Sequence, residues 1–374
     1  MTAPFRPPPY PYDRLDPLKG LAAAHEGGLV DLSVGTPCDP PSAAVVAALG
    51  ASGTEAGYPT SIGSPALREA AAGWLHRRFG VDVPTTALAA CVGTKEFVAS
   101  TPHFLRLRAP DRDTVLYPAV SYPTYAMGAV LAGCRAVPVA VDDGWHVDLS
   151  SINDEDAERA LCLWVNTPAN PTGSVDDLGA AAEWGRMHAV PVFSDECYVE
   201  FTWTGPGRTI VEHGLDGLVA VHSLSKRSNM AGLRAGFYAG DGDLVHYLSE
   251  VRKHAGLMMP GPVQLAAGVA LEDDTHVTEQ RQRYRDRLDL LRAAFADAGV
   301  EVSAPEGTFY LWVSAPGGDA WAFTERLAKE AGVLVSPGEF YGPDGADHVR
   351  VAVVQPTVRL EMAARRLRGS VATR

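Results

Sequence analysis

Between Pro65 and Phe79 the apolar residues Leu67, Ala71, Trp74 and Leu75 recur at intervals of three and four, with Arg68, Glu69, Arg77 and Arg78 elsewhere. That period predicts a helix with one face turned to a core. Another helix is expected after Gly93-Thr94, running from Lys95 towards Leu107. Beyond it, short apolar runs alternate with helical ones. Thr114–Tyr117 reads as a strand ending at a proline, Tyr125–Ala132 as a helix and Ala136–Val141 as a strand. Leu161–Val165 reads as a strand that runs into the loop Asn166–Gly173, and Asp176–His188 as a helix. Val190–Phe193, Leu218–His222 and Ala235–Ala239 read as further strands. Short apolar strands between amphipathic helices argue for βαβ units and a mostly parallel sheet covered on both faces.

The C-terminal part has a different rhythm. A long charged helical pattern runs from about Thr275 to Ala298. After it come a strand over Thr308–Val313, a helix over Ala320–Ala331, strands at Val333–Val335 and His348–Val354, and a last helix from about Thr357. The expected organisation is an α/β three-layer sandwich with a mostly parallel central sheet, followed by a smaller α+β lobe. Residues 41–265 would form the large domain and 266–374 the small one, with the junction near 255–270. Residues 1–40 would supply an N-terminal arm and part of the small lobe. Met1–Asp13 is rich in proline, which fixes φ and removes donors, so it reads as an extended arm; a floppy tail is the plainer alternative.

Composition narrows the class. Of 374 residues, 46% are hydrophobic and 21% charged, as in a folded globular protein. The apolar runs fall short of the roughly 18 residues of a membrane span, and the N-terminus lacks a signal-peptide core, so a cytoplasmic location is expected. The formal net charge of −13 and the lack of a Lys/Arg run argue against nucleic acid as a partner. Five scattered cysteines form no C-x-x-C, which argues against a disulfide framework or a zinc site, and no metal is expected.

The chemistry-bearing residues follow predicted strands, where open parallel sheets bind ligands. Asn170 lies in the turn-forming loop Asn166–Gly173. Asp195 ends an apolar strand, where a carboxylate needs a partner; a protonated pyridine nitrogen would serve, as would a helix cap or an ion pair. Tyr198 comes three residues on and could offer a phenol to the same ligand. Lys226, in Ser223-Leu-Ser-Lys226, is followed eight residues later by Arg234 between glycines. A lysine held near other cations suits Schiff-base chemistry, and serine with arginine suits a phosphate. Gly93-Thr94-Lys95 opens a helix, whose N–H groups attract phosphate. Tyr122 could stack on a flat ring or pack in the core. Arg350, in the alternating strand His-Val-Arg-Val-Ala-Val, wants a carboxylate from a ligand or a structural ion pair.

Together with Gly35 in Ser-Val-Gly-Thr-Pro and the pattern Tyr58…Gly63…Leu67-Arg68, these residues resemble the fold-type I pyridoxal-5′-phosphate (PLP) enzymes, in the class I/II aminotransferase group. The resemblance covers nearly the whole chain. It implies that Lys226 carries PLP as a Schiff base and moves a proton from the substrate Cα to the cofactor. It implies that Asp195 keeps the pyridine nitrogen protonated, that Asn170 and Tyr198 bind the ring oxygen, and that Tyr122 stacks on the ring. Gly93, Thr94, Lys95, Ser223 and Arg234 would hold the phosphate, with Tyr58 reaching it from the partner subunit of a homodimer. Gly35, Asn170 and Arg350 would take the substrate α-carboxylate.

Six stretches look like the N-succinyldiaminopimelate aminotransferases in particular: Asp31–Pro37, Ser194–Tyr198, Ala220–Lys226, Arg234–Phe237, Val251–Gly256 and Gly338–Gly342. The implied reaction moves an amino group between glutamate and N-succinyl-2-amino-6-oxopimelate, giving N-succinyl-L,L-diaminopimelate for lysine and peptidoglycan precursors. Lys95, Arg252 and Lys253 are candidates for the distal groups by charge alone. Another aminotransferase or a PLP-dependent carbon–sulfur lyase would share the site. A Ser-x-x-Lys acyl hydrolase also fits Ser223 and Lys226, but its companion motifs Ser-Asp-Asn and Lys-Thr-Gly are missing. A PLP-binding regulator would need a DNA-binding module, and nothing resembles one.

Overall fold

A computed structural model describes residues 5–51 and 53–371. They fall into two compact units, one made of Thr36–Asp286 with Pro305–Phe309, the other of the described parts of Met1–Gly35, Arg287–Ala304 and Tyr310–Arg374.

The larger unit is built on a seven-stranded sheet. Its strands are β1 (Leu88–Cys91), β2 (Thr114–Pro118), β3 (Arg135–Val139), β4 (Ala160–Asn166), β5 (Val192–Asp195), β6 (Leu218–Ser223) and β7 (Gly236–Gly240). Their order across the sheet is β1-β7-β6-β5-β4-β2-β3, and only β7 runs against the rest. Neighbouring residues along a strand serve two different cores, as a pleat with both faces covered requires. On one face Leu116, Leu163, Val165, Ala220 and Phe237 pack with Trp74 and Leu75 of helix Pro65–Phe79 and with helices Leu178–His188 and Gly261–Glu272. On the other, Val115, Trp164, Phe193, Val221 and Tyr238 pack with Phe97 of helix Thr94–Arg108 and with helices Thr124–Leu131 and Gly242–His254. This is the expected α/β three-layer sandwich with a mostly parallel sheet. The strand β1 was not legible, because Leu-Ala-Ala-Cys is short and its small residues carry no β-former.

In the smaller unit Tyr310–Ser314, His348–Ala352 and Ser336–Pro337 form an antiparallel sheet with His348–Ala352 in the middle. Val30–Asp31 pairs in parallel with Val333–Leu334. Helices Asp16–Ala23, Ala320–Ala331 and Thr357–Val371 belong to the same unit.

The boundaries differ from those expected at 40 and 265. The helix Thr275–Asp297 is divided between the units after Asp286. Its first half is held to the larger one, since Arg281 donates to the carbonyls of Glu200 and Thr202 and the ring of Tyr284 lies 5.0 Å from that of Phe201. Residues 36–40 join the same unit, with Asp39 accepting from Gln280 at 2.9 Å. Of the proposed arm Met1–Asp13, residues 1–4 lie outside the described residues. Residues 5–10 are irregular, and Pro11–Leu15 forms a 3-10 turn packed in the smaller unit.

Candidate active site

Strands β1, β2, β4, β5 and β6 run the same way, so their carboxyl ends share one edge of the sheet. Loops at that edge gather the residues that the sequence marked. Asp195 closes β5 and is buried. Its Oδ2 accepts from the phenol of Tyr125 at 2.9 Å and its Oδ1 from the backbone N–H of Cys197 at 3.2 Å. Burial still pushes its carboxyl above the usual range, against those hydrogen bonds and the nearby positive charge of Lys226. A buried carboxylate so placed calls for a cation beside it.

Lys226 sits in the short helix Leu224–Arg227 that follows β6. Ser223 caps that helix, its hydroxyl accepting from the N–H of Ser225 at 3.1 Å. The Lys226 Nζ is 5.8 Å from the centre of the Phe309 ring, and that ring stands edge-on to buried Tyr198 at 5.3 Å.

Arg234 precedes β7 in a left-handed conformation, φ 56°, and its Nη1 donates to the carbonyl of Ala231 at 2.9 Å. Its guanidinium lies against Gly93, where φ is 78° and an added Cβ would stand 2.2 Å from Arg234 Nη2. Only glycine allows that approach. Gly93 caps the helix that opens with Thr94 and Lys95, so an arginine and a helix N-terminus converge, as a phosphate requires. The Thr94 hydroxyl lies 3.2 Å from the Cys197 sulfur. Burial and Asp195 hold the Cys197 thiol well above its ordinary pKa, so it stays protonated.

The loop after β4 is tied to the end of β5. Asn166 Nδ2 donates to the Asp195 carbonyl at 2.8 Å, and Asn166 Oδ1 accepts from the N–H of buried Asn170 at 2.8 Å. The Thr167-Pro168 and Asn170-Pro171 peptides are cis. After β2, Tyr122 stands edge-on to Tyr125 at 6.4 Å, and Lys95 Nζ lies 5.8 Å from the Tyr122 ring.

Tyr58 lies outside this cluster. It is 98% exposed, which leaves it no packing role within its own chain. Gly35 and Arg350 belong to the smaller unit. There Arg350 Nη2 donates to the Ser33 carbonyl at 2.7 Å, and the guanidinium lies 4.1 Å from the Tyr310 ring centre. Gly35 is pressed onto the same tyrosine, because a Cβ there would be 1.9 Å from its hydroxyl.

Among the charge-based candidates for distal recognition, Arg252 is excluded. It is buried and its guanidinium is engaged by Glu96, with Nη1 to Oε1 at 2.9 Å and Nη2 to Oε2 at 2.5 Å. Tyr125 and Phe309 were missed. Tyr125 carries a signal in hindsight, one helical turn beyond Tyr122; Phe309 carries none, since its approach to Lys226 depends on packing between distant segments.

A sheet with a lysine, a buried aspartate and an arginine pressed on a glycine at a helix N-terminus, all at the carboxyl ends of its strands, has the parts that a PLP site would use. The chain belongs to the aminotransferase class I and II family, whose model matches residues 28–367, and it is a PLP-dependent transaminase. It is 42% identical over 368 residues to 4-dedimethylamino-4-oxo-anhydrotetracycline transaminase OxyQ of Streptomyces rimosus, covering 96% of this chain and 99% of that one. It is 34% identical over 376 residues to the LL-diaminopimelate aminotransferase of Desulforudis audaxviator, covering 97% and 95%. A solved structure of a probable N-succinyldiaminopimelate aminotransferase from Thermus thermophilus matches with a TM-score of 0.86 and 30% identity, over 96% of this chain and 99% of that one. Among the described residues no helix is long and apolar enough to cross a membrane.

Proposed function

We propose that the chain transaminates N-succinyl-L,L-diaminopimelate with 2-oxoglutarate, reversibly, and that Lys226, Asp195 and Arg234 carry the cofactor. The observation that carries the cofactor reading is the buried Asp195 carboxylate beside Lys226, with Arg234 pressed on Gly93. Asp195 would hold a proton on the pyridine nitrogen. Tyr198 and Asn170 would face the ring oxygen, Tyr122 the ring, and Gly93, Thr94, Lys95, Ser223 and Arg234 the phosphate. Bound PLP supplies an electron sink for the pair left when the substrate Cα–H bond breaks. Lys226 Nζ would take that proton. Arg350 grips the substrate α-carboxylate, with the backbone at Gly35 beside it. The exposure of Tyr58 supports a homodimer in which it completes the partner's phosphate site.

The diaminopimelate compounds named for the Desulforudis and Thermus relatives support the substrate reading. The similarity to OxyQ supports a second one, in which the amino acceptor is a ring ketone. An absorbance titration of the PLP-loaded protein with single amino donors separates them. Conversion of the visible band by both glutamate and N-succinyl-L,L-diaminopimelate is the expected result. Conversion by glutamate alone would overturn the succinylated substrate and favour the ring-ketone reading.

A further inference from the structure

Two pieces of the chain that the cofactor chemistry does not use meet in the smaller unit: the turn Pro11–Leu15 and the 3-10 segment Gly338–Tyr341. Arg14 forms an ion pair with Glu339 at 2.6 Å and lies over the Trp321 ring at 4.6 Å. The Tyr12 ring packs on Phe340 at 5.4 Å. These contacts aim one hydroxyl inward. Tyr12 Oη accepts from Arg350 Nη2 at 3.1 Å and lies 2.8 Å from the Tyr341 hydroxyl. The Arg350 guanidinium is also 4.8 Å from the Tyr341 ring centre.

We infer that Tyr12, delivered by the N-terminal segment, is a positioning residue for Arg350 and so sets the enzyme's affinity for α-carboxylates. The inference rests on the proposed role of Arg350. An arginine side chain has several rotatable bonds, and fixing its planar fork before the ligand arrives removes an ordering penalty from binding. The ring of Tyr341 blocks one direction of escape and the Ser33 carbonyl anchors the same nitrogen that Tyr12 holds. Tyr12 is the one member of the group supplied by the turn at Pro11–Leu15, so that turn would govern substrate binding through Arg350.

The test is Tyr12→Phe, which keeps the ring against Phe340 and removes only the hydroxyl, compared with Arg350→Ala and the double variant in the PLP-loaded full chain. KM and kcat for L-glutamate are measured, together with the dissociation constant of PLP from its visible band. The expected result is a KM about tenfold higher for Tyr12→Phe, which is about 1.4 kcal/mol. The kcat and the PLP affinity stay within twofold, and Tyr12→Phe adds nothing further in the Arg350→Ala background. An unchanged KM for Tyr12→Phe with a raised KM for Arg350→Ala would overturn this inference alone. An unchanged KM for Arg350→Ala would overturn the proposed role of Arg350 itself, and this inference with it. Equal losses in the wild-type and Arg350→Ala backgrounds would also contradict it, since Tyr12 would then act without Arg350.

Discussion

The phenol of Tyr125 donates to the buried carboxylate of Asp195 across 2.9 Å. Tyr125 lies in the first turn of helix Thr124–Leu131 and Asp195 at the end of β5, so this bond joins the helix to the buried carboxyl of the site. Burial and the Asp195 charge push the Tyr125 phenol well above its ordinary pKa, so it stays a donor at all working pH values.

Removing that donor should weaken the site from beneath. A hydrogen bond to a charged group contributes about 1.5–3 kcal/mol, so Tyr125→Phe should raise the Asp195 pKa further and loosen PLP by about tenfold or more. Equilibrium titration of the visible band against PLP concentration measures this. An affinity equal to that of the parent protein would remove Tyr125 from the account.

The pair Arg252–Glu96 fastens helix Gly242–His254 to the first turn of helix Thr94–Arg108, next to the proposed phosphate cradle. Arg252→Ala should destabilise the fold by about 2 kcal/mol in chemical denaturation, less than for a fully enclosed pair because Glu96 keeps some contact with water. Lys253→Ala, on the same helix but exposed, should leave the midpoint where it was. Equal midpoints for the two variants would contradict this role for Arg252.

Glu196 and His222 lie side by side in the core beneath the site, 3.4 Å apart. Burial pushes the Glu196 carboxyl up to about 8, and burial with the Arg227 charge pushes the His222 imidazole down to about 3. Burial thus works against charge on both groups and favours a neutral acid beside a neutral imidazole over an ion pair around neutral pH. Thr209, Ser194, the Ile210 N–H and Glu212 face the acid, and Trp74 and Phe237 face the imidazole. The two groups oppose each other in the pH dependence of stability. The folded state binds the Glu196 proton more tightly than the unfolded chain, so that contribution is full below the ordinary value of 4.5 and is lost as pH rises towards 8. The unfolded chain binds the His222 proton more tightly, so stability falls as pH drops from 6.5 towards 3. Of these two slopes, that of Glu196 is the one that remains between 6.5 and 8. Glu196→Gln should flatten the fall in stability over that window, measured by denaturation at fixed pH steps. An unchanged slope would mean that Glu196 is ionised in the fold.

Much of this was legible in the chain. The apolar runs ending at Asp195 and at Ser223 announced parallel strands with chemistry at their carboxyl ends, because a strand covered on both faces has to be apolar throughout. The cluster of Lys226, Asp195, Arg234 and Gly93 followed from motif and order. The unit boundaries did not follow, because the helix Thr275–Asp297 has one continuous helical pattern, and what ties its first half to the larger unit is contact with distant segments: Arg281 on the carbonyls of Glu200 and Thr202, and Tyr284 on Phe201 and Phe309. Nor was the engagement of Arg252 by Glu96 readable, since a charge in sequence does not reveal its partner. Tyr12 was hidden in a proline-rich stretch whose local pattern says only that it is extended.

The central claim is that Lys226 is the lysine that holds PLP. Borohydride reduction of the PLP-loaded protein, followed by proteolysis and mass spectrometry, locates the cofactor on one peptide. The account predicts the added phosphopyridoxyl mass on Lys226, and its loss together with turnover in a folded Lys226→Ala protein. The same mass on another lysine, or retained turnover in Lys226→Ala, would contradict it.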